Sequence, residues 1–162
     1  MKYISTLISV KNMEISKRFY QDVLGMDVIA DLGANVTLTG GFALQTMATW
    51  QHFIADKDVS LHNNAIELVF EEVDFDIFLN HMKKFDIVYV HDMIEHSWGQ
   101  RVIRFYDPDY HIIEVGESME MVVKRFKNTG MTDEQVAERM HVSLEYVQGY
   151  LYPFLTRENM HT

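Results

Sequence analysis

A run of strand, helix and three further strands occurs twice in this 162-residue chain, and that repetition limits the fold more than any single motif does. Residues 3–10 alternate with branched side chains, as a strand does. Within 13–24, Ile15, Phe19, Val23 and Leu24 fall at helical spacing, and Gly25 stands in the usual C-terminal position. Strand patterns follow at 26–31, 35–39 and 42–46, the last two joined by Gly40-Gly41. Residues 47–64 are less regular and are expected to hold a short helix or an excursion before the next module. The cycle then restarts: a strand at 65–71, and a helix at 74–85 with Phe75, Phe78, Leu79 and Met82 on one face. Strands at 87–91, 100–106 and 111–115 complete it. The helix exits also match, 19–28 against 78–87. The pattern predicts an α+β protein of two tandem βαβββ modules, about 1–50 and 64–116, in a domain of residues 1–116. A helical tail, 117–162, follows a boundary near Gly116.

Alternation assigns strand residues to faces. Ile4, Ile8 and Val10 share one face of the first strand, leaving Ser5, Leu7 and Ser9 on the other. Phe42 and Leu44 go with the helix, and Ala43 and Gln45 oppose them. In the second module Ile66, Leu68 and Phe70 are expected under the helix, with Glu67, Val69 and Glu71 opposite. Burying Ile113 and Val115 turns Ile112 and Glu114 outward. Each module therefore presents a polar residue on its first strand and one on its last: Ser5 and Gln45, then Glu67 and Glu114.

Two segments carry a resemblance. One is the helix exit Phe19-Tyr20-Gln21-Asp22-Val23-Leu24-Gly25-Met26. The other runs from Trp98-Gly99-Gln100-Arg101 through Asp107-Pro108-Asp109 to Ile113-Glu114-Val115. With the tandem βαβββ pattern they make residues 2–116 similar to the vicinal oxygen chelate superfamily. That superfamily contains glyoxalases (lactoylglutathione lyases), bleomycin- and fosfomycin-resistance proteins and extradiol dioxygenases. The resemblance implies curved mixed sheets around a cleft. In metal-dependent members the ligands sit on the first and last strands of each module, which here means Ser5, Gln45, Glu67 and Glu114. Glu114 matches the family's glutamate. Glu67 stands where histidine is common, Gln45 where glutamate is common, and Ser5 where histidine or glutamine is expected. Tyr110 occupies a turn position that is usually glycine.

These residue types leave alternatives open. Gln45, Glu67 and Glu114 on one concave surface offer oxygen ligands for a hard cation, Mg²⁺ or Mn²⁺ rather than Zn²⁺ or Ni²⁺. Without a metal, Glu67 and Glu114 form an acid–base pair able to move a proton beside a carbonyl. A third reading has them line a wet cleft, hydrogen-bonded to Gln45 or Ser5. None of the eight histidines falls at a mapped ligand position. His96 and Trp98 lie in a loop that the family brings near the cleft mouth, which makes them candidates for substrate contact with Ser5 and Gln45. Arg101 and Arg104 lie on opposite faces of one strand. The inward one, with Arg101 as the candidate, can hold a substrate carboxylate or phosphate.

Composition narrows the classes. The absence of cysteine excludes disulfides, thiolate metal sites and thiol nucleophiles. No stretch approaches the roughly 20 apolar residues that span a bilayer, and no signal segment is apparent, so a cytoplasmic location is expected. A net charge of −10 argues against nucleic acid as the main partner. Residues 131–151 resemble a helix-turn-helix with Val136, Ala137, Met140, Val142, Val147 and Leu151 as a small core. Its last helix, however, offers Glu145, Tyr146, Gln148 and Tyr150 and no Lys or Arg. A hairpin packing on the main domain or on a partner copy is expected instead, with Tyr150, Tyr152, Phe154 and Leu155 covering a homodimer interface. The functional expectation is a glyoxalase/bleomycin-resistance-like protein that binds a small molecule, as a lyase or isomerase acting beside a carbonyl. The alternatives are a non-catalytic binding or sequestering protein, and a ligand-responsive regulator using the tail.

Overall fold

The structure, a computed structural model, describes residues 1–153. The first module comprises β1 (Thr6–Val10), α1 (Met13–Leu24), β2 (Val28–Asp31), β3 (Asn35–Leu38) and β4 (Phe42–Thr46), followed by α2 (Met47–Phe53). The second comprises β5 (Glu67–Glu72), α3 (Phe75–Met82), β6 (Tyr89–Glu95), β7 (Arg101–Tyr106) and β8 (Ile112–Glu117). The tail forms α4 (Met119–Asn128), α5 (Asp133–Met140) and α6 (Leu144–Leu151). Each module makes a four-stranded mixed sheet, in the order β1-β4-β3-β2 and β5-β8-β7-β6. The second order is the first advanced by four, so the repeat seen in the sequence is a repeat of topology.

Contacts divide the described chain into two compact units. The first holds Met1–Leu68, His81–Val88 and Phe105–Ile113; the second holds Val69–Asn80, Tyr89–Arg104 and the chain from Glu114. In the first unit β1 runs parallel to β4 with Ser9 opposite Gln45, and β4 runs antiparallel to β3 with Gln45 opposite Asn35. Helix α1 begins where Asn12 accepts a hydrogen bond from Ile15 N (3.1 Å) and ends at Gly25, whose φ of 64° suits glycine. Its buried stripe is Met13, Ser16, Tyr20 and Val23, not the expected Ile15 face; Ile15 is 48% exposed. The reason is Tyr20. Its ring packs edge-on against Phe19 and Phe42, and its hydroxyl donates to buried Asp107 at 2.9 Å.

Asp107 organises the turn before β8. Its Oδ1 accepts from the backbone N–H of Asp109 and of His111, both at 2.9 Å, and its Oδ2 meets His111 Nδ1 at 2.9 Å. Asp109 accepts in turn from Lys11 N at 3.1 Å, and burial raises its carboxyl above the usual carboxylate range. Tyr110 has φ 65°, a left-handed backbone in a non-glycine residue at the position where the family pattern has glycine. Ile4 and Ile66, expected to be covered, are 75% and 62% exposed because each precedes its strand.

The second unit carries α4, α5 and α6 around Val122, Val123, Phe126, Val136, Ala137, Met140 and Val147, with Val142 and Leu151 partly buried beside them. Thr132 and Gln135 form a capping box, and Ser143 caps α6. These helices are tied to the strands by charge. Buried Glu117 on β8 accepts from Arg101 Nε (3.1 Å) and from Arg125 Nε (3.1 Å), while Arg139 donates to Glu95 (2.9 Å) and to Ser97 O. Gly99 has φ 90°, and a Cβ there would lie 2.3 Å from Phe126 Cζ, so both backbone and close approach require glycine. The tail's basic cluster is committed internally: Lys124 pairs with Glu120, Arg125 with Glu117 and Lys127 with Asp133. Phe154 and Leu155 lie outside the described residues.

Candidate functional site

The face of the first sheet turned away from α1 carries neutral polar groups. Register places Ser9, Gln45 and Asn35 in one row and Leu7, Ala43 and Thr37 in the next. Gln45 is 3% exposed; its Oε1 accepts from Asn35 Nδ2 at 2.9 Å and its Nε2 donates to Thr49 Oγ1. Ser5, just before β1, is exposed, donates to Thr6 O at 2.9 Å, and stands four positions from Ser9 along the chain. Ser9 therefore faces Gln45 across the strand pair, and Ser5 does not. Ser5 instead lines a shallow depression of about 420 Å³ with Leu7, Asn35, Thr37 and Ala43. Glu67 opens β5 on the exposed side that it shares with Val69 and Glu71.

The corresponding face of the second module is charged. Glu114 is 9% exposed and pairs with Arg104, with Glu114 Oε2 and Arg104 Nη2 in direct contact but not in an aligned hydrogen bond. Arg104 Nη1 donates to His91 Nε2 at 3.3 Å. Three adjacent strands, β8, β7 and β6, thus contribute a carboxylate, a guanidinium and an imidazole. Nearby, His96 stacks on Trp98 with centroids 4.2 Å apart and planes 20° apart. Burial, followed by the charges of Arg104 and His91, holds the His96 imidazole below its usual pKa. Trp98 donates to Gln100 Oε1 at 3.2 Å.

Arg101 is not the open-face arginine. Besides Glu117, it contacts Asp76 at 2.9 Å and lies over the Phe75 ring at 5.2 Å, on the side of α3. Three carbon-bound nitrogens engaged by two carboxylates and a ring make it a structural cation. Strand parity then leaves Arg104 beside Glu114. The residues missed in the sequence are Ser9, Asn35, Thr49 and His91. Counting outward from the turn centred on Gly40 places Asn35 opposite Gln45, so that one was within reach. Nothing local marked Thr49 or His91.

The donor set fits a divalent cation poorly. Glu114 already carries a guanidinium counter-ion, and both ends of the Gln45 amide are engaged by protein partners. Among the described residues no group of three or more His, Asp or Glu side chains is arranged to hold a metal. Glu67 stands in the first unit and Glu114 in the second, and the chemistry proposed below is that of Glu114 alone.

No curated protein sequence matches the chain. Among solved structures, a protein of unknown function from Agrobacterium tumefaciens str. C58 is 33% identical, with TM-score 0.67, covering 74% of this chain and 95% of that one. A glyoxalase/bleomycin resistance protein/dioxygenase family enzyme from Burkholderia phytofirmans PsJN is 14% identical, with TM-score 0.61 and coverage of 70% and 96%. A lactoylglutathione lyase from Agrobacterium tumefaciens is 19% identical, with TM-score 0.58 and coverage of 72% and 93%. At those identities the last two speak for the fold. Residues 3–120 match the glyoxalase-like domain family, which spans both βαβββ modules. The chain therefore belongs to the glyoxalase-like family of the vicinal oxygen chelate superfamily.

Proposed function

We propose that the protein binds a small carbonyl compound on the open face of its second sheet and moves a proton beside the carbonyl without a metal. The observation that carries this reading is the pairing of Glu114 with Arg104, itself hydrogen-bonded to His91. An adjacent guanidinium favours the ionised carboxylate, which is the form that accepts a proton. In the proposed step Glu114 takes the proton from the carbon next to the carbonyl. The C–H electron pair moves to the carbonyl oxygen, and an Arg104 N–H stabilises the resulting oxyanion. Protonated Glu114 then returns a proton to that same carbon as the carbonyl re-forms, which exchanges the hydrogen or inverts the carbon, an isomerase-type outcome. The stacked His96–Trp98 pair forms a flat wall for the ligand.

A non-catalytic binding role is the second reading. It is favoured by the buried Gln45 amide, whose oxygen and nitrogen are both engaged by protein partners, Asn35 and Thr49. Proton NMR in D₂O with pyruvate and hydroxyacetone separates the two. The first reading expects saturable binding and deuterium entry next to the carbonyl, with exchange lost in Glu114→Gln. Binding without exchange would support sequestration. No binding of either compound would remove both readings as stated. We also propose that the protein works as a homodimer, with Tyr152, 43% exposed, beside the interface; a monomer mass by light scattering at high concentration would contradict that.

A further inference from the structure

We infer that a cavity of about 310 Å³ in the first unit is a second ligand site, for a small, uncharged aromatic molecule bearing a hydroxyl group, whose proton His111 Nε2 accepts. It does not rest on the function proposed for Glu114, which is not among its lining residues. The cavity lies between β1, α2, the segment 58–64 and the turn before β8, and its walls include Leu7, Trp50, Ile54 and Leu68. A volume near the lower end of small-molecule pockets, with mostly apolar walls, suits a single ring.

Its polar feature is His111. Asp107 Oδ2 receives the Tyr20 hydroxyl proton, and Oδ1 receives two backbone N–H groups, so this buried carboxylate acts as an acceptor throughout. His111 Nδ1, at 2.9 Å from Oδ2, must therefore be the donor in that contact. The neutral ring then has its lone pair on Nε2, which has no protein hydrogen-bond partner among the described residues. Asp107 fixes both the tautomer and the ring orientation, and His111 lines the cavity.

Two further observations define the ligand. Asp58 lines the cavity and no lysine or arginine does, which disfavours a carboxylate or phosphate and fits a neutral hydrogen-bond donor. Part of the wall is aromatic: His62 stacks on Tyr110 with centroids 4.5 Å apart and planes 22° apart. Of the six described non-glycine residues with positive φ, three line this cavity: His62 (56°), Asn64 (55°) and Tyr110 (65°). Such backbone strain concentrates where a wall must be held in one shape for a ligand.

The test uses the full chain carrying Trp98→Phe, so that Trp50 is the one remaining tryptophan. Trp50 fluorescence is followed while p-cresol is added, and again with toluene, which has the same ring and methyl group but no hydroxyl. The expected result is saturable quenching by p-cresol with an apparent affinity about 10-fold above that of toluene, the difference made by one hydrogen bond to a positioned acceptor. His111→Leu should lower p-cresol to the toluene level and leave toluene unchanged, which also reports an intact cavity. If that variant fails to fold, the p-cresol to toluene ratio in the His111 protein decides. Equal affinity for the two compounds, or no saturable change with either, would overturn the proposal.

Discussion

The two modules share strand order and residue spacing, yet their open faces carry different chemistry. The first sheet presents Ser9, Gln45 and Asn35, neutral groups of which Asn35 donates to Gln45. The second presents Glu114, Arg104 and His91, a charged relay across three strands. Topology brings the first and last strands of each module together whatever their side chains are, so duplication supplies the positions and substitution supplies the function. The interiors differ too. Helix α1 is anchored through the Tyr20–Asp107 hydrogen bond, whereas the end of β8 is anchored through two arginines on Glu117.

The largest effect should come from the first anchor. Tyr20 is fully buried, and Leu79 holds the matching place in α3, one residue after the aligned Phe78. Tyr20→Ala should cost about 4 kcal/mol in urea unfolding and Leu79→Ala about 2 kcal/mol. Equal costs would mean that the two helices are anchored alike.

Glu117→Gln should cost about 3 kcal/mol, since it leaves two arginines short of a buried partner. It also tests the charged anchor by pH. Burial pushes the Glu117 carboxyl up, but the hydrogen bonds from Arg125 and then Arg101 hold it below its ordinary value of 4.5. A depressed folded pKa contributes stability that is present above pH 4.5 and is lost as pH falls through the folded value. Thermal melts between pH 5 and pH 3, a span set by that carboxylate range, should drop more steeply for the native chain than for Glu117→Gln. Parallel slopes would place the acid sensitivity elsewhere.

Two glycines sharpen the comparison further. Gly99→Ala meets both a φ of 90° and Phe126 and should cost about 2 kcal/mol, loosening the His96–Trp98 loop. Gly33→Ala, at φ 77° but in open space, should cost about 1 kcal/mol. The smallest effect belongs to Asn35→Ala, about 1 kcal/mol or less for one side-chain hydrogen bond, with ligand binding at the second face unchanged.

Much of this was legible in the residues. Helix α1 and strand β4 have the bounds that spacing indicates. Alternation turns Glu114 away from Ile113 and Val115, yet all three are buried, Glu114 against Arg104 on the neighbouring strand. It fails at strand ends, where Ile4 and Ile66 precede their ladders, because alternation carries no information about where pairing begins. It also fails where a buried residue is polar at its tip: Tyr20 and Ser16 were invisible to a search for aliphatic spacing in α1. The choice between Arg101 and Arg104 depended on long-range partners, Glu117 and Asp76 for one and Glu114 for the other, and no local pattern encodes those. His91 became relevant only once β6 and β7 were neighbours.

The central claim is that ligand chemistry belongs to the charged face. Side-chain NMR during a pyruvate titration tests it most directly. The account predicts saturable shifts of the His91 and His96 imidazole signals and of the Arg104 guanidinium, with the side-chain amides of Asn35 and Gln45 unmoved. Shifts confined to Asn35 and Gln45, or none at any of these groups, would contradict it.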